Sequence, residues 1–187
     1  MLEKLDRALD CDVFDLSLLE KCPVRRYIKV DFDTPVDYQP YSDNDVYYDD
    51  WEHGLIRIRK KFFEMGYPLS LFRQPGTFIF RECFENESFL FDSCIFPLRK
   101  NENVSPPVEY EKGMYASVYG KWLGIETGSP KVYRLLKEMR AYMLGLGLEA
   151  DGPCICEMLA GGILAKPALD RDGLFRLSVK VRPASRT

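Results

Sequence analysis

A chain of 187 residues, 46% hydrophobic and 29% charged, carries enough apolar matter for one good core or two small ones, which excludes wholesale disorder. Its net charge of −3 supplies no basic face for nucleic acid, so any contact with DNA is expected through a separate domain. The opening Met1-Leu2-Glu3-Lys4 is charged where a secretory signal is apolar, and no stretch approaches the roughly 18 apolar residues of a membrane span. The expectation is therefore a cytoplasmic protein with no membrane partner.

In chain order, residues 1–10 read as a short amphipathic helix with Leu2, Leu5 and Leu9 on one side. Residues from Val24 to Phe32 alternate and predict a strand. A polar, Asp-rich loop follows, from Asp33 to about Asp45. A helix is predicted from about Tyr48 to Met65. Trp51, Leu55, Ile58, Phe62 and Met65 form its apolar stripe, and Gly66 is placed as its C-terminal cap. Gly76–Phe84 and Phe89–Leu98 read as two strands of a hairpin joined by Glu85-Asn86-Glu87-Ser88. Residues 99–112, with Pro106-Pro107, read as a linker.

The grammar then repeats. Gly113–Trp122 is a predicted strand, and a helix opens at Ser129-Pro130 and runs to about Leu144. Pro153–Leu159 and Leu174–Val181 are predicted strands. In the last, Phe175, Leu177, Val179 and Val181 face one way and Arg176, Ser178, Lys180 and Arg182 the other. The order strand-helix-strand-strand thus occurs twice, over about 22–98 and about 113–183. It predicts an α+β fold: two tandem β-α-β-β (SHS2-like) units related by a pseudo-two-fold axis, an antiparallel sheet with helices on one face, and a groove near the axis.

Tyr115-Ala116-Ser117-Val118-Tyr119-Gly120, Lys137-Glu138 in an amphipathic helix, and Gly152-Pro153 before a strand bearing Glu157 together resemble the gyrase-inhibitor-like effector-binding family. These domains follow the DNA-binding part of MerR-type and AraC-type multidrug-responsive regulators. The resemblance implies an effector-binding domain over residues 13–187, with residues 1–12 as the end of a linker or dimerisation helix. It leaves room for a homodimer through the early leucines. It also implies a pocket between the units, lined by aromatics and an acid, for a small organic ligand. The chain departs from the family in its last strand: Leu177-Ser178-Val179 stands where relatives often carry an acid.

Glu157, in the apolar run Cys154-Ile155-Cys156-Glu157-Met158-Leu159, is the leading ligand-binding candidate, because a carboxylate there must be solvated, paired or held for a ligand. An acid walled by rings attracts a lipophilic cation. Tyr115 and Tyr119 share a strand face with Ser117 and are candidate walls. Phe78, Phe80 and Glu82 share a face of the first unit's second strand, with Glu82 as a second candidate acid. Trp51, at the head of the first helix, completes the candidates.

No catalytic residue, cofactor or metal is expected. The six cysteines show no CxxC pair, the only histidine is His53, and no P-loop, GxGxxG or HExxH occurs. Cys154 and Cys156 read as small residues buried on one strand face. The Asp43, Asp45, Asp49 and Asp50 group has no EF-hand spacing. Two alternatives stay open: a hydrolase using Glu157 with Tyr115 or Tyr119, and a protein-interaction module docking through strand edges.

Overall fold

The structure, a computed structural model, describes residues 16–37, 56–86, 90–104, 106–123, 128–160 and 172–185. It is an α+β fold dominated by one sheet. The elements are β1 (Leu16–Cys22), β2 (Arg25–Asp37), helix α1 (56–64), β3 (Gly76–Ile79), the one-turn helix α2 (Arg81–Glu85), β4 (Leu90–Pro97), β5 (Val108–Tyr110), β6 (Gly113–Leu123), helix α3 (Gly128–Gly145), β7 (Leu148–Ala160) and β8 (Asp172–Pro183). The eight strands lie in the order β1-β6-β8-β7-β3-β4-β2-β5, and every pairing among the described residues is antiparallel.

The sheet is strongly curled. Five strand steps separate β2 from β6. At about 4.8 Å each, a flat sheet would hold them roughly 24 Å apart. Yet the Arg25 guanidinium of β2 lies 4.6 Å from the ring centroid of Tyr115 on β6. Two short connections enforce the curl. Cys22 is followed within three residues by Arg25, joining one edge strand to the far side of the sheet, and Tyr110 is followed as closely by Gly113.

Both long helices cover the outer face. From α1, Ile58 and Phe62 pack on Ile28, Val30, Cys94 and Phe96. From α3, Leu135, Leu136, Met139 and Met143 pack on Ala116, Val118, Leu177 and Val179. These sheet residues alternate with Tyr27, Ile95, Tyr115 and Ile155, which point into the curl and form a second buried cluster with Cys22 and Phe78. Gly120 permits the close approach of α3: a Cβ there would lie 2.4 Å from the Phe175 ring and 2.9 Å from Leu135. Gly66, at φ +80°, ends α1 as anticipated, whereas Met65 leaves the stripe and is exposed.

Several expectations need correction. Residues 99–112 are not all linker, because β5 starts directly after Pro107 and pairs with β2. Its position at the sheet edge tolerates a preceding proline. β1, unanticipated, precedes the first expected strand and pairs with β6. The strand expected over Gly76–Phe84 stops at Ile79, and Arg81–Glu85 turns into α2, which buries Phe84 among the residues packed on α3. Here tertiary burial of one ring overrides the β-propensity of its neighbours. β3 and β4 are still antiparallel neighbours, as the hairpin reading required. The helix expected over residues 1–10 lies outside the described residues.

Candidate functional site

Inside the curl, four strands bring charged and hydroxyl-bearing side chains together. β1 contributes Glu20, β2 contributes Arg25 and Tyr27, β7 contributes Glu157, and β8 contributes Arg176 and Ser178. The strand period of two places each on the inward face, while Ile28 beside Tyr27, Cys156 and Met158 beside Glu157, and Phe175, Leu177 and Val179 around Arg176 and Ser178 serve the helix-covered core.

Glu157 is the centre. Arg25 Nη1 donates to its Oε2 at 2.8 Å, and Arg176 donates to the same oxygen through Nε at 3.0 Å and Nη2 at 2.5 Å. Tyr27 donates its hydroxyl to Oε1 in a very short bond. Only 13% of the Glu157 side chain is exposed, against 10% for Arg25 and 15% for Arg176. The carboxyl therefore feels two opposed influences. Burial pushes its pKa up, Arg176 and then Arg25 pull it down, and Tyr27 adds a hydrogen bond to the ionised form. The balance holds it below the ordinary carboxylate value.

A second acid closes the network. Glu20 lies 3.5 Å from Arg176 Nη1 and accepts hydrogen bonds from Ser117 Oγ at 2.5 Å and from the Tyr119 hydroxyl at 3.1 Å. Two carboxylates thus meet two guanidiniums, and the cluster is neutral. Burial, and then the charge of Glu157, drive the Tyr27 phenol well above its usual pKa. Burial also raises Tyr119.

Arg25 is less well served than its neighbours. Nη1 reaches Glu157 and, at 3.1 Å, Ser178 Oγ, and the guanidinium stacks on Tyr115. Its Nε and Nη2, however, are buried without a hydrogen-bond partner. β3 runs close beneath this region at Gly76, where a Cβ would lie 2.3 Å from the Cys156 carbonyl oxygen and 3.3 Å from Glu157 Cα.

The structure places the sequence-selected residues unevenly. Glu157, Tyr115 and Tyr119 converge inside the curl, and Tyr115 donates its hydroxyl to the Glu111 carbonyl at 2.8 Å. Phe78 is buried there too, edge-on to Tyr110 and opposite Ile155 on β7. Phe80 is not part of the strand; it caps α2 and is 40% exposed, though its ring still meets Phe78 edge-on. Glu82 also leaves the expected strand face: it sits exposed in the first turn of α2. Trp51 lies outside the described residues. Of the three states open to an acid in that apolar strand, Glu157 is paired, with two guanidiniums on its carboxylate.

Glu20, Arg25, Tyr27 and Arg176 went unselected. The alternation of Val24–Phe32 puts Arg25, Tyr27 and Lys29 on one face, and the acid missing at Ser178 has its charged counterpart two residues earlier in Arg176. Only the curl reveals that these faces meet. Cys154 and Cys156 are buried on one strand face, as expected, and that face is the helix-covered one. Among the described residues no cluster of histidine, cysteine and carboxylate side chains has the make-up of a metal site, and no helix is long and apolar enough to cross a membrane.

Among known proteins, no family profile matches the chain and no curated sequence matches it.

Proposed function

We propose that this chain is a gyrase-inhibitor-like effector-binding domain of a cytoplasmic transcription regulator, and that a small, lipophilic, aromatic molecule binds inside the curl of its sheet. DNA would be contacted only through a separate domain. The observation that carries this reading is the make-up of the curl's interior. Tyr27, Phe78, Tyr110 and Tyr115 supply flat apolar walls next to a neutral cluster that offers both donors and acceptors. Binding sites for small organic molecules combine apolar and aromatic walls with a few fixed polar groups in this way.

The strand order supports the duplicated architecture. Read inward from one edge the sheet runs β1-β6-β8-β7, and from the other β5-β2-β4-β3. Matching β5–β8 with β1–β4 gives the two halves the same strand order, with α1 and α3 at the same place in each and α2 without a counterpart among the described residues. The junction of the halves is then the β3–β7 pair, where Phe78 faces Ile155. A ligand bound there touches both units and is able to bias how they sit, which is the requirement for a sensor.

The hydrolase reading has less support. A carboxylate held below its ordinary pKa by two guanidiniums is a weak general base, and the Tyr119 phenol, driven upward by burial, is a weak nucleophile. The test is calorimetric titration of the protein with a flat cationic dye such as acridine orange, alongside an activated-ester assay. Saturable binding that weakens in Glu157→Gln, with no ester turnover, is expected. Binding unchanged by Glu157→Gln would remove the polar cluster from the site.

A further inference from the structure

We propose that the Arg25 guanidinium is a built-in occupant of a cation subsite, and that the ligand class which displaces it is the aromatic amidines. The inference rests on the proposed function and deepens it.

Three observations meet at Arg25. The first is that its position is that of a bound ligand. The side chain reaches across the curl from β2 and lays a planar cation 4.6 Å from the Tyr115 ring centroid, with one nitrogen on both Glu157 and Ser178. Those are the contacts an aromatic-stacking cation seeks: a ring face, a carboxylate and a hydroxyl.

The second is that Arg25 fits this place imperfectly. Its side chain is 10% exposed, and its Nε and Nη2 are buried with no acceptor. Buried donors left without partners weaken the hold of a group on its site. A free amidinium has no Nε and no tether to β2, so it is able to make the Glu157 and Ser178 contacts without that constraint.

The third is that Glu157 does not depend on Arg25 for neutralisation. Arg176 grips the same oxygen with two nitrogens. When Arg25 leaves, a neutral Glu157–Arg176 pair remains, flanked by Glu20 on the far side of Arg176. An incoming cation restores the present charge balance. The exchange needs no protonation step and no bond rearrangement, only the withdrawal of one side chain. Arg25 is then a threshold on affinity. A ligand must outcompete a tethered guanidinium, whose backbone stays paired with Tyr110 of β5.

The test is calorimetric titration of benzamidine into the wild-type chain, Arg25→Ala, and Arg25→Ala/Glu157→Gln. Removing the competitor is expected to tighten benzamidine binding about tenfold, the equilibrium worth of one charge-assisted hydrogen bond. The added Glu157→Gln change is expected to abolish that gain. Should Arg25→Ala fold only with benzamidine present, circular dichroism would read ligand-dependent folding, which supports the proposal. Arg25→Lys, which keeps a charge but not the planar stack, decides independently and is expected to tighten binding in the same direction. No tightening in either folded variant, or a gain that survives loss of Glu157, overturns the inference. A wild-type protein that binds acridine orange but gains nothing from these changes keeps the proposed function while losing this proposal. If no aromatic cation binds to any of the proteins, both fall.

Discussion

Replacing Glu157 by Gln probes the centre of the interior most sharply. The carboxylate accepts hydrogen bonds from Arg25, Tyr27 and two nitrogens of Arg176, all with side chains at most 15% exposed. Gln keeps an acceptor oxygen for the guanidiniums at the Oε2 position and turns its NH₂ toward the Tyr27 hydroxyl, but it carries no charge. Two buried cations lose their shared counter-ion, although Arg176 retains Glu20 at 3.5 Å. Removing one partner of a buried ion pair costs about 3–5 kcal/mol, and the retained Glu20 places this case toward the lower end. For a chain of this size the midpoint of thermal unfolding falls by roughly 2–4 °C per kcal/mol. A drop of about 10 °C is therefore expected in calorimetric melts, with a matching loss in the urea midpoint at unchanged slope. A change below about 1 kcal/mol would refute the reasoning, because it would mean that the network adds nothing to the folded state.

Further outcomes follow from the same geometry. Because the folded pKa of Glu157 lies below its unfolded value, the carboxylate stabilises the fold above the unfolded value, near 4.3, and that contribution is lost as pH falls through the folded value. Urea midpoints measured across the acid range should show this limb in the wild type and a flatter one in Glu157→Gln; parallel curves would contradict it. Gly120→Ala should cost about 1–3 kcal/mol, since the new methyl meets the Phe175 ring and Leu135, and a neutral melt would deny the close approach of α3. Phe62→Ala, which removes a fully buried ring set against Phe72 and Phe96, should cost about 3–5 kcal/mol by chemical denaturation. Burial raises the thiols of Cys22, Cys94 and Cys154, so peptide mapping should find them unlabelled by a thiol reagent until the protein unfolds.

How much of this was legible in the sequence varies with the range of the interaction. Strict alternation fixed β8, whose Phe175, Leu177 and Val179 are buried toward α3 while Arg176 and Ser178 turn inward. Leu135, Leu136, Met139 and Met143 recur at helical spacing in the sequence and lie on the buried side of α3. β1 was invisible because Leu16-Ser17-Leu18-Leu19-Glu20 does not alternate, and β5 because a three-residue strand after two prolines has no pattern of its own. The propensities of Phe80–Phe84 favoured a strand, and only the burial of Phe84 against the α3 layer explains why they form a helical turn.

The site divides in the same way. An acid in an apolar strand is a local signal, so Glu157 stood out. Its partners are set by topology: Arg25 and Tyr27 precede it by 132 and 130 residues and meet it only because the sheet curls across the three strand steps between β2 and β7. The sequence therefore pointed to the acid but not to the two cations that neutralise it, and the neutral cluster changes the ligand question. On the proposed reading, selectivity would turn on what replaces a resident guanidinium rather than on an unpaired negative charge.

The side-chain Nε–H resonances of Arg25 and Arg176 report on the interior of the curl directly. Nitrogen-15 correlation spectra of the chain, recorded while acridine orange is titrated in, are expected to show the largest shifts at these two groups and at the backbone amides flanking Glu157. Shifts confined to α1, α3 or the strand edges, with both arginine signals unmoved, would contradict binding within the curl.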